Sequence, residues 1–327
     1  MAEKTPSTWR SRALASALAL ALTGAATFAG APAALAAGAR GHATISRGTQ
    51  SEPVTDTTFE QARVSYLGPV GTYTQEAAQR VFGPGCELVP VKTVSDAADA
   101  LAAGEVDFCV IPQENTIGGP VTDYADVVIG HEGLSIAAEV ELPISQNLLA
   151  RPGTRLEDIT QVYSHKQGIS QGGAWVREHI PSAEIVEASS TAEGARIASE
   201  EGDGTYAAIC SAGCAEVYGL EILARDIQQN SANVTRFYVL TKDAPANGAG
   251  DRMVFVAEGP SSALPSLMSR IDELGMTLVS CHDRPAKTEL GRYRYLIEVA
   301  GPKAGSFKAL STVPGFSWRN LGTFSLR

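Results

Sequence analysis

The chain has 327 residues, of which 44% are hydrophobic and 19% charged, a balance ordinary for a globular protein and enough for more than one core. A formal charge of -10 with no basic stripe excludes nucleic acid as the expected partner. An acidic protein that binds an acidic small molecule must supply local donors against its own field: amides at helix starts and a few chosen Arg or hydroxyl groups.

At the N-terminus, Lys4, Arg10 and Arg12 precede an Ala/Leu-rich stretch from Ala13 to Ala29, and Ala34-Leu35-Ala36 then offers small residues at cleavage spacing. This three-part pattern predicts a secretory signal peptide over residues 1–36 and an exported protein, secreted or periplasmic. A disordered Ala-rich extension or an organelle transit peptide are the alternatives; without a signal the protein is cytoplasmic. Thr23, Gly24 and Gly30 interrupt the apolar stretch, so no stable membrane span is expected. Residues 37–61 read as a flexible spacer.

From Arg63 a repeating pattern begins. Arg63–Leu67, Glu87–Val91 and Phe108–Pro112 read as strands, with helices over Tyr73–Phe82 and Ser95–Ala103 between them. Such alternation argues for βαβ units around a parallel sheet. The run Ser135–Leu149 has strand period and is expected to cross into a second lobe. There Val162–His165, Glu184–Ala188 and Tyr206–Cys210 read as strands, Gly168–His179 and Thr191–Glu200 as helices, and Val234–Leu240 returns as a strand. The expected outcome is an α/β unit of two lobes over residues 62–243, with ligands held beyond the carboxyl ends of the strands. Asp243–Gly250 is a linker by composition. Beyond it, over residues 251–327, strand Met253–Ala257, helix Ala263–Leu274, strands Thr277–Cys281 and Tyr293–Val299, helix Phe307–Leu310 and a strand near Leu321–Ser325 spell βαββαβ, the ferredoxin-like order. The five cysteines, Cys86, Cys109, Cys210, Cys214 and Cys281, are odd in number and scattered, which is no disulfide framework. Cys210 and Cys214 are spaced i, i+4 without a supporting His, so buried small residues are expected there and no metal site.

Four segments carry chemistry: Gly68-Pro-Val-Gly-Thr-Tyr-Thr74, Pro112-Gln-Glu-Asn-Thr-Ile-Gly-Gly119, Ser164-His-Lys-Gln-Gly-Ile-Ser-Gln171 and Thr235-Arg236-Phe237. The first three are clusters of Gly, hydroxyl and amide residues that each follow a short apolar strand. In this order and spacing they resemble prephenate dehydratase over residues 63–327. Thr116 stands for the family's Ser, and Lys166 for a Pro. The resemblance implies a periplasmic-binding-protein-like catalytic domain and a hydro-lyase of phenylalanine biosynthesis that takes carbon dioxide and water from prephenate to give phenylpyruvate. That reaction ends in an aromatic ring and requires no metal, redox cofactor or covalent nucleophile. It requires a donor at the departing hydroxyl, complementarity for two carboxylates and a pocket for the ring.

The resemblance implies Thr235 as that donor, with Asn115 and Glu114 as its catalytic company. Glu114 would repel a dianion if ionised, so an orienting or partly protonated role is expected of it. Substrate binding is expected from Thr72, Thr74, Thr116, Ser164, His165, Gln167, Gln171, Thr191, Arg236 and Phe237. Thr72 can equally cap a helix, His165 can cap or sit in the core, and Phe237 is core first and ring wall second. Arg236 suits a carboxylate. Yet neighbours on a strand face opposite ways, so an Arg236 that follows an inward Thr235 is expected to turn away and brace the lobe.

The C-terminal segment resembles the ACT domain, which in this family binds phenylalanine. Here Ser262-Ala263-Leu264 replaces Gly-Ala-Leu, and His282-Asp283-Arg284-Pro285 replaces Glu-Ser-Arg-Pro. Both changes predict weak phenylalanine binding, and the resemblance implies a homo-oligomer. Four other readings stay open: an arogenate dehydratase, an exported solute-binding protein without catalysis, a prephenate decarboxylase without dehydration, against which Thr235 and the Glu114-Asn115 pair speak, and a non-catalytic phenylalanine sensor. An appended third unit and the Thr235-Arg236-Phe237 triplet speak against the plain solute-binding protein. The signal-peptide expectation is read directly by N-terminal sequencing of the mature protein: a terminus at Ala37 supports cleavage after Ala36, and an intact Met1 from cytosol overturns it.

Overall fold

The computed structural model describes residues 62–121, 124–243, 245–248 and 250–326. The expected signal peptide and spacer lie outside these described residues. In chain order the first lobe is built from β1 (Arg63–Leu67), α1 (Tyr73–Phe82), β2 (Glu87–Val91), α2 (Val94–Ala103), β3 (Phe108–Asn115), β4 (Gly119–Pro120), α3 (Tyr124–Gly130) and β5 (Ser135–Pro143). The second lobe follows with β6 (Asn147–Ala150), β7 (Gln161–Ser164), α4 (Lys166–His179), β8 (Glu184–Glu187), α5 (Thr191–Glu200), β9 (Tyr206–Cys210), α6 (Cys214–Tyr218) and β10 (Glu221–Ala224). The chain then returns to the first lobe as β11 (Val234–Thr241). A third unit contains β12 (Arg252–Pro260), α7 (Leu264–Glu273), β13 (Thr277–Pro285), β14 (Arg292–Ala300), α8 (Ser306–Leu310) and β15 (Ser317–Phe324).

Helix starts in the lobes are set by side chains that accept orphan amides. Thr93 and Asp96 form a reciprocal capping box on α2, Thr72 caps α1, and Ser190 accepts from Glu193 N on α5. Fully buried runs such as Val64–Tyr66 and Cys109–Ile111 make β1 and β3 inner strands of the first sheet, whose order is β2-β1-β3-β11-β5. The first three strands are parallel, while β11 runs antiparallel to both β3 and β5. The second sheet has the order β10-β6-β9-β7-β8. Two crossings join the lobes, one between β5 and β6 and one between β10 and β11, and they are tied by Ile144 N donating to Asn233 O at 2.8 Å.

The third sheet, β13-β14-β12-β15, is antiparallel throughout and has the strand order of a ferredoxin-like βαββαβ unit. One face (Met253, Phe255, Ala257, Ile297 and Val299) packs on Leu267 and Ile271 of α7 and Leu310 of α8. The other face (Val254, Val256, Leu296 and Leu321) shares a core with Tyr124, Ile136 and Tyr238 of the first lobe. Burial on both sides explains the unbroken apolar run of β12. Here β15 lies against β5 so closely that a Cβ on Gly322 would meet Ile136 O at 2.5 Å.

The two-lobed α/β plan and the βαββαβ unit match the sequence expectation; several elements differ. The run 135–149 is two strands, β5 and β6, in different sheets. α3 was not anticipated, because Tyr124, Ala125, Val127, Val128 and Ile129 are all buried and leave almost no polar face to mark a helical period. β10 is four residues long, too short for a periodic signal. Among the described residues no helix is long and apolar enough to cross a membrane.

Candidate active site

Between the two lobes lies a cavity of about 890 Å³. Its walls are the carboxyl ends of β1, β2 and β3, the start of β11, and the first turns of α1, α4 and α5. The lobes touch across it. Ser211 Oγ and Cys214 Sγ donate to Gly71 O at 3.0 and 3.2 Å, and Tyr218 OH donates to Val70 O at 2.8 Å. Gly71 sits at φ +91, a backbone region that favours glycine, and a Cβ there would press on Cys214 Sγ at 3.0 Å. The glycine-bearing loop is therefore clasped from the second lobe.

Thr235, at 9% exposure, and Asn115, at 6%, face each other across the β3–β11 register. Asn115 Oδ1 accepts from the backbone amides of Ile117 at 3.0 Å and Gly118 at 2.8 Å, and from Gln167 Nε2 at 3.1 Å. Backbone N–H groups can only donate, so the amide oxygen must face them and Nδ2 must face the other way. Nδ2 donates to Asn233 Oδ1 at 2.7 Å and to Thr235 Oγ1 at 2.9 Å. The Thr235 oxygen is thus already an acceptor, no described residue takes its proton, and the O–H is left to donate into the cavity. Behind this pair runs a chain of amides: Asn233 Nδ2 and Gln146 Nε2 both donate to Gln171 Oε1 at 2.8 Å, and Tyr73 OH donates to Gln146 Oε1 at 3.1 Å.

Arg236 goes the opposite way. Its Nη2 donates to Glu114 Oε2 at 2.5 Å, and its Nη1 lies 3.8 Å from Glu139 and 3.6 Å from Glu298 of the third unit. Glu298 also meets Arg252 at 3.1 Å, Gln113 Nε2 at 3.0 Å and Tyr238 OH at 2.7 Å. The register shows how β3 serves both faces. Arg236 is opposite Glu114 but Phe237 is opposite Pro112, so Gln113 is one extra residue, a bulge. Pro112 and Asn115 line the cavity, while Gln113 and Glu114 turn toward the third sheet.

Several expectations need correction in place. Glu114, expected beside the reacting groups, is paired with Arg236 on the far face of the strand. Arg236 faces away from the cavity, as strand alternation suggested, and does not line it. Ser164 is fully buried and donates to Ile209 O at 2.6 Å. Thr116 bonds Ala232 O at 2.7 Å and Val234 N at 3.0 Å, bracing the crossing instead of lining the cavity. Thr72, Thr74, His165, Gln167, Gln171, Thr191 and Phe237 all line it. Thr72 and His165 do so as the caps of α1 and α4. The cavity also has Ser190, the cap of α5, in its wall, together with Lys92 and Gln146, and Asn233 behind it; the motifs singled out none of the last three.

In the third unit, Ser262, Ala263 and Leu264 form the turn into α7. Asp283 is exposed and Pro285 ends β13. His282 packs edge-on against Tyr124 at 5.5 Å, and burial lowers its pKa. Arg284 Nε donates to Asp126 Oδ1 at 2.6 Å on α3. Among the described residues no group of His, Cys, Asp and Glu could hold a metal ion.

A family model described as prephenate dehydratase matches residues 64–245. The bifunctional chorismate mutase/prephenate dehydratase of Neisseria gonorrhoeae is 33% identical over 240 residues, 73% of this chain and 66% of that protein. The prephenate dehydratase of Bacillus subtilis is 32% identical over 250 residues, covering 72% of this chain and 88% of its own. Among solved structures, prephenate dehydratase from Arthrobacter aurescens in complex with L-Phe superposes with a TM-score of 0.72 at 32% identity, covering 80% of this chain and 90% of that one.

The carboxylate cluster makes a pH prediction. Burial, then the Glu298 charge, pushes Glu139 up to about 8 from 4.5, against the pull of Arg236 and Arg252. Ionised, neither Glu139 oxygen has a hydrogen-bond partner among the described residues; protonated, it can bond Glu298. A folded pKa above the unfolded one means stability fully present below the unfolded value and lost as pH rises through about 8. The melting temperature should therefore fall as pH rises from about 4.5 to about 8, and Glu139→Gln should flatten that fall. An unchanged slope in the variant contradicts the protonated assignment.

Proposed function

The chain belongs to the prephenate dehydratase family, and from that premise we propose that Thr235 donates the hydrogen bond that carries the ring hydroxyl of prephenate away. The reaction releases the ring carboxylate as carbon dioxide, sends its electron pair through the diene, and expels the hydroxyl at the opposite ring carbon, leaving phenylpyruvate. The observation that carries the assignment is the fixed Asn115 amide, which occupies the Thr235 oxygen and frees its proton. A threonine hydroxyl is too weak an acid to surrender that proton outright. It stabilises charge as the carbon–oxygen bond lengthens, which is where a preorganised donor contributes most. The first turns of α1, α4 and α5 line the same cavity, and helix N-termini favour an anionic ligand. Gln167 and Gln171, one turn apart on α4, add side-chain amides. Phe237 supplies an apolar wall for the ring.

The third unit we read as an ACT-like regulatory domain with weakened phenylalanine binding. The Arthrobacter aurescens relative was solved with L-Phe, so an effector of this kind fits the family. In this chain Ser262 puts a side chain where the family has glycine. His282 replaces a carboxylate, and its lowered pKa keeps it neutral near pH 7, with no charge to attract an ammonium group.

Two outcomes test these readings. With prephenate as substrate and phenylpyruvate absorbance as the signal, Thr235→Ala should raise the barrier by about 2.7–4 kcal/mol, mainly in kcat, and Thr235→Ser should keep part of the activity. Near-normal turnover by Thr235→Ala removes Thr235 from the mechanism. Titrating phenylalanine should leave both activity and melting temperature almost unmoved at micromolar ligand. Strong inhibition with a raised melting temperature would show that the altered motifs still bind.

A further inference from the structure

With Arg236 committed to the carboxylate cluster, the cavity keeps a different cation. Lys92 follows β2 directly and is, among the described residues, the only Lys or Arg that lines the cavity. It is exposed, and no described carboxylate pairs with it. Glu193, the one acid among the described residues of the wall, is held by Arg196 at 2.7 and 3.0 Å and does not compete. We propose that Lys92 is the ion partner of the substrate's side-chain carboxylate, the one that persists in the product. This rests on the prephenate reading above.

From β11 the sheet steps over β3 and β1 to β2, three strand spacings or about 14 Å, so Lys92 stands at the far end of the cavity from Thr235. The departing hydroxyl and the side chain of prephenate sit at opposite ends of the ring, which matches that separation once the lysine stem reaches inward. Energetics favour the same carboxylate. A fixed cation on the ring carboxylate would stabilise the ground state of the group that must leave as neutral carbon dioxide, and so oppose the chemistry. On the side-chain carboxylate, whose charge does not change, the same cation adds uniform binding and leaves the barrier alone.

Kinetics on the full-length chain separate these roles. Lys92→Gln should raise KM for prephenate about 10- to 100-fold with kcat nearly unchanged, and Lys92→Arg should restore most of the loss. Phenylpyruvate keeps the side-chain carboxylate but lacks the ring carboxylate and hydroxyl, so its inhibition constant should rise by a similar factor in Lys92→Gln. Added salt should raise KM in the wild type and much less in Lys92→Gln. An unchanged KM and unchanged phenylpyruvate inhibition in Lys92→Gln, beside an active wild type, overturns the assignment. A fall in kcat at constant KM overturns it as well. A wild type that forms no phenylpyruvate overturns instead the reading on which it rests.

Discussion

The side-chain amide of Asn115 accepts at its oxygen from Ile117 N, Gly118 N and Gln167, and this turns its nitrogen toward Asn233 and Thr235. Every later step depends on that orientation. Were the amide reversed, its oxygen would take the Thr235 proton and leave two backbone donors, Ile117 N and Gly118 N, facing an NH2 group. The arrangement also joins the lobes, because Gln167 sits on α4 of the second lobe and Asn115 on β3 of the first. Closure of the cavity and orientation of the hydroxyl are therefore parts of one hydrogen-bonded network. The amides of Asn233, Gln171 and Gln146 extend it behind the cavity wall.

One residue further along β11, the chain does something different. Three carboxylates, the buried Glu139 and Glu298 and the half-buried Glu114, face two guanidinium groups, Arg236 and Arg252. One bound proton brings that set to neutrality, in keeping with the raised Glu139 pKa. Buried ion clusters are weak evidence of stability, since desolvation opposes the attraction. Their geometric consequence is firmer: Glu298 comes from the third unit, so the strand that presents Thr235 is held on its other face by that unit. A shift of β14 against β11 would be felt by the residue adjacent to the donor.

Much of this was legible in the sequence. Strand and helix alternation marked the two lobes, and hydroxyl and amide clusters after short strands marked the cavity wall. Strand alternation alone anticipated that Arg236 would turn from Thr235. What stayed hidden depends on contacts between distant segments. Glu114 could not be assigned a face because Gln113 is a bulge, visible only in the pairing of β3 with β11. Ser164 ends β7 and Thr116 follows β3, both in segments of the expected composition, yet they spend their hydroxyls on Ile209 O and Ala232 O. Lys92 belongs to no motif, and its place in the cavity follows only from the strand order that brings β2 beside β1.

The central claim is the direction of the hydrogen bond between Asn115 and Thr235, and neutron diffraction from a deuterium-exchanged crystal reads it directly. The account predicts two deuterons on Asn115 Nδ2, one aimed at Thr235 Oγ1, and a Thr235 deuteron aimed into the cavity. A Thr235 deuteron directed at the Asn115 side chain would contradict it.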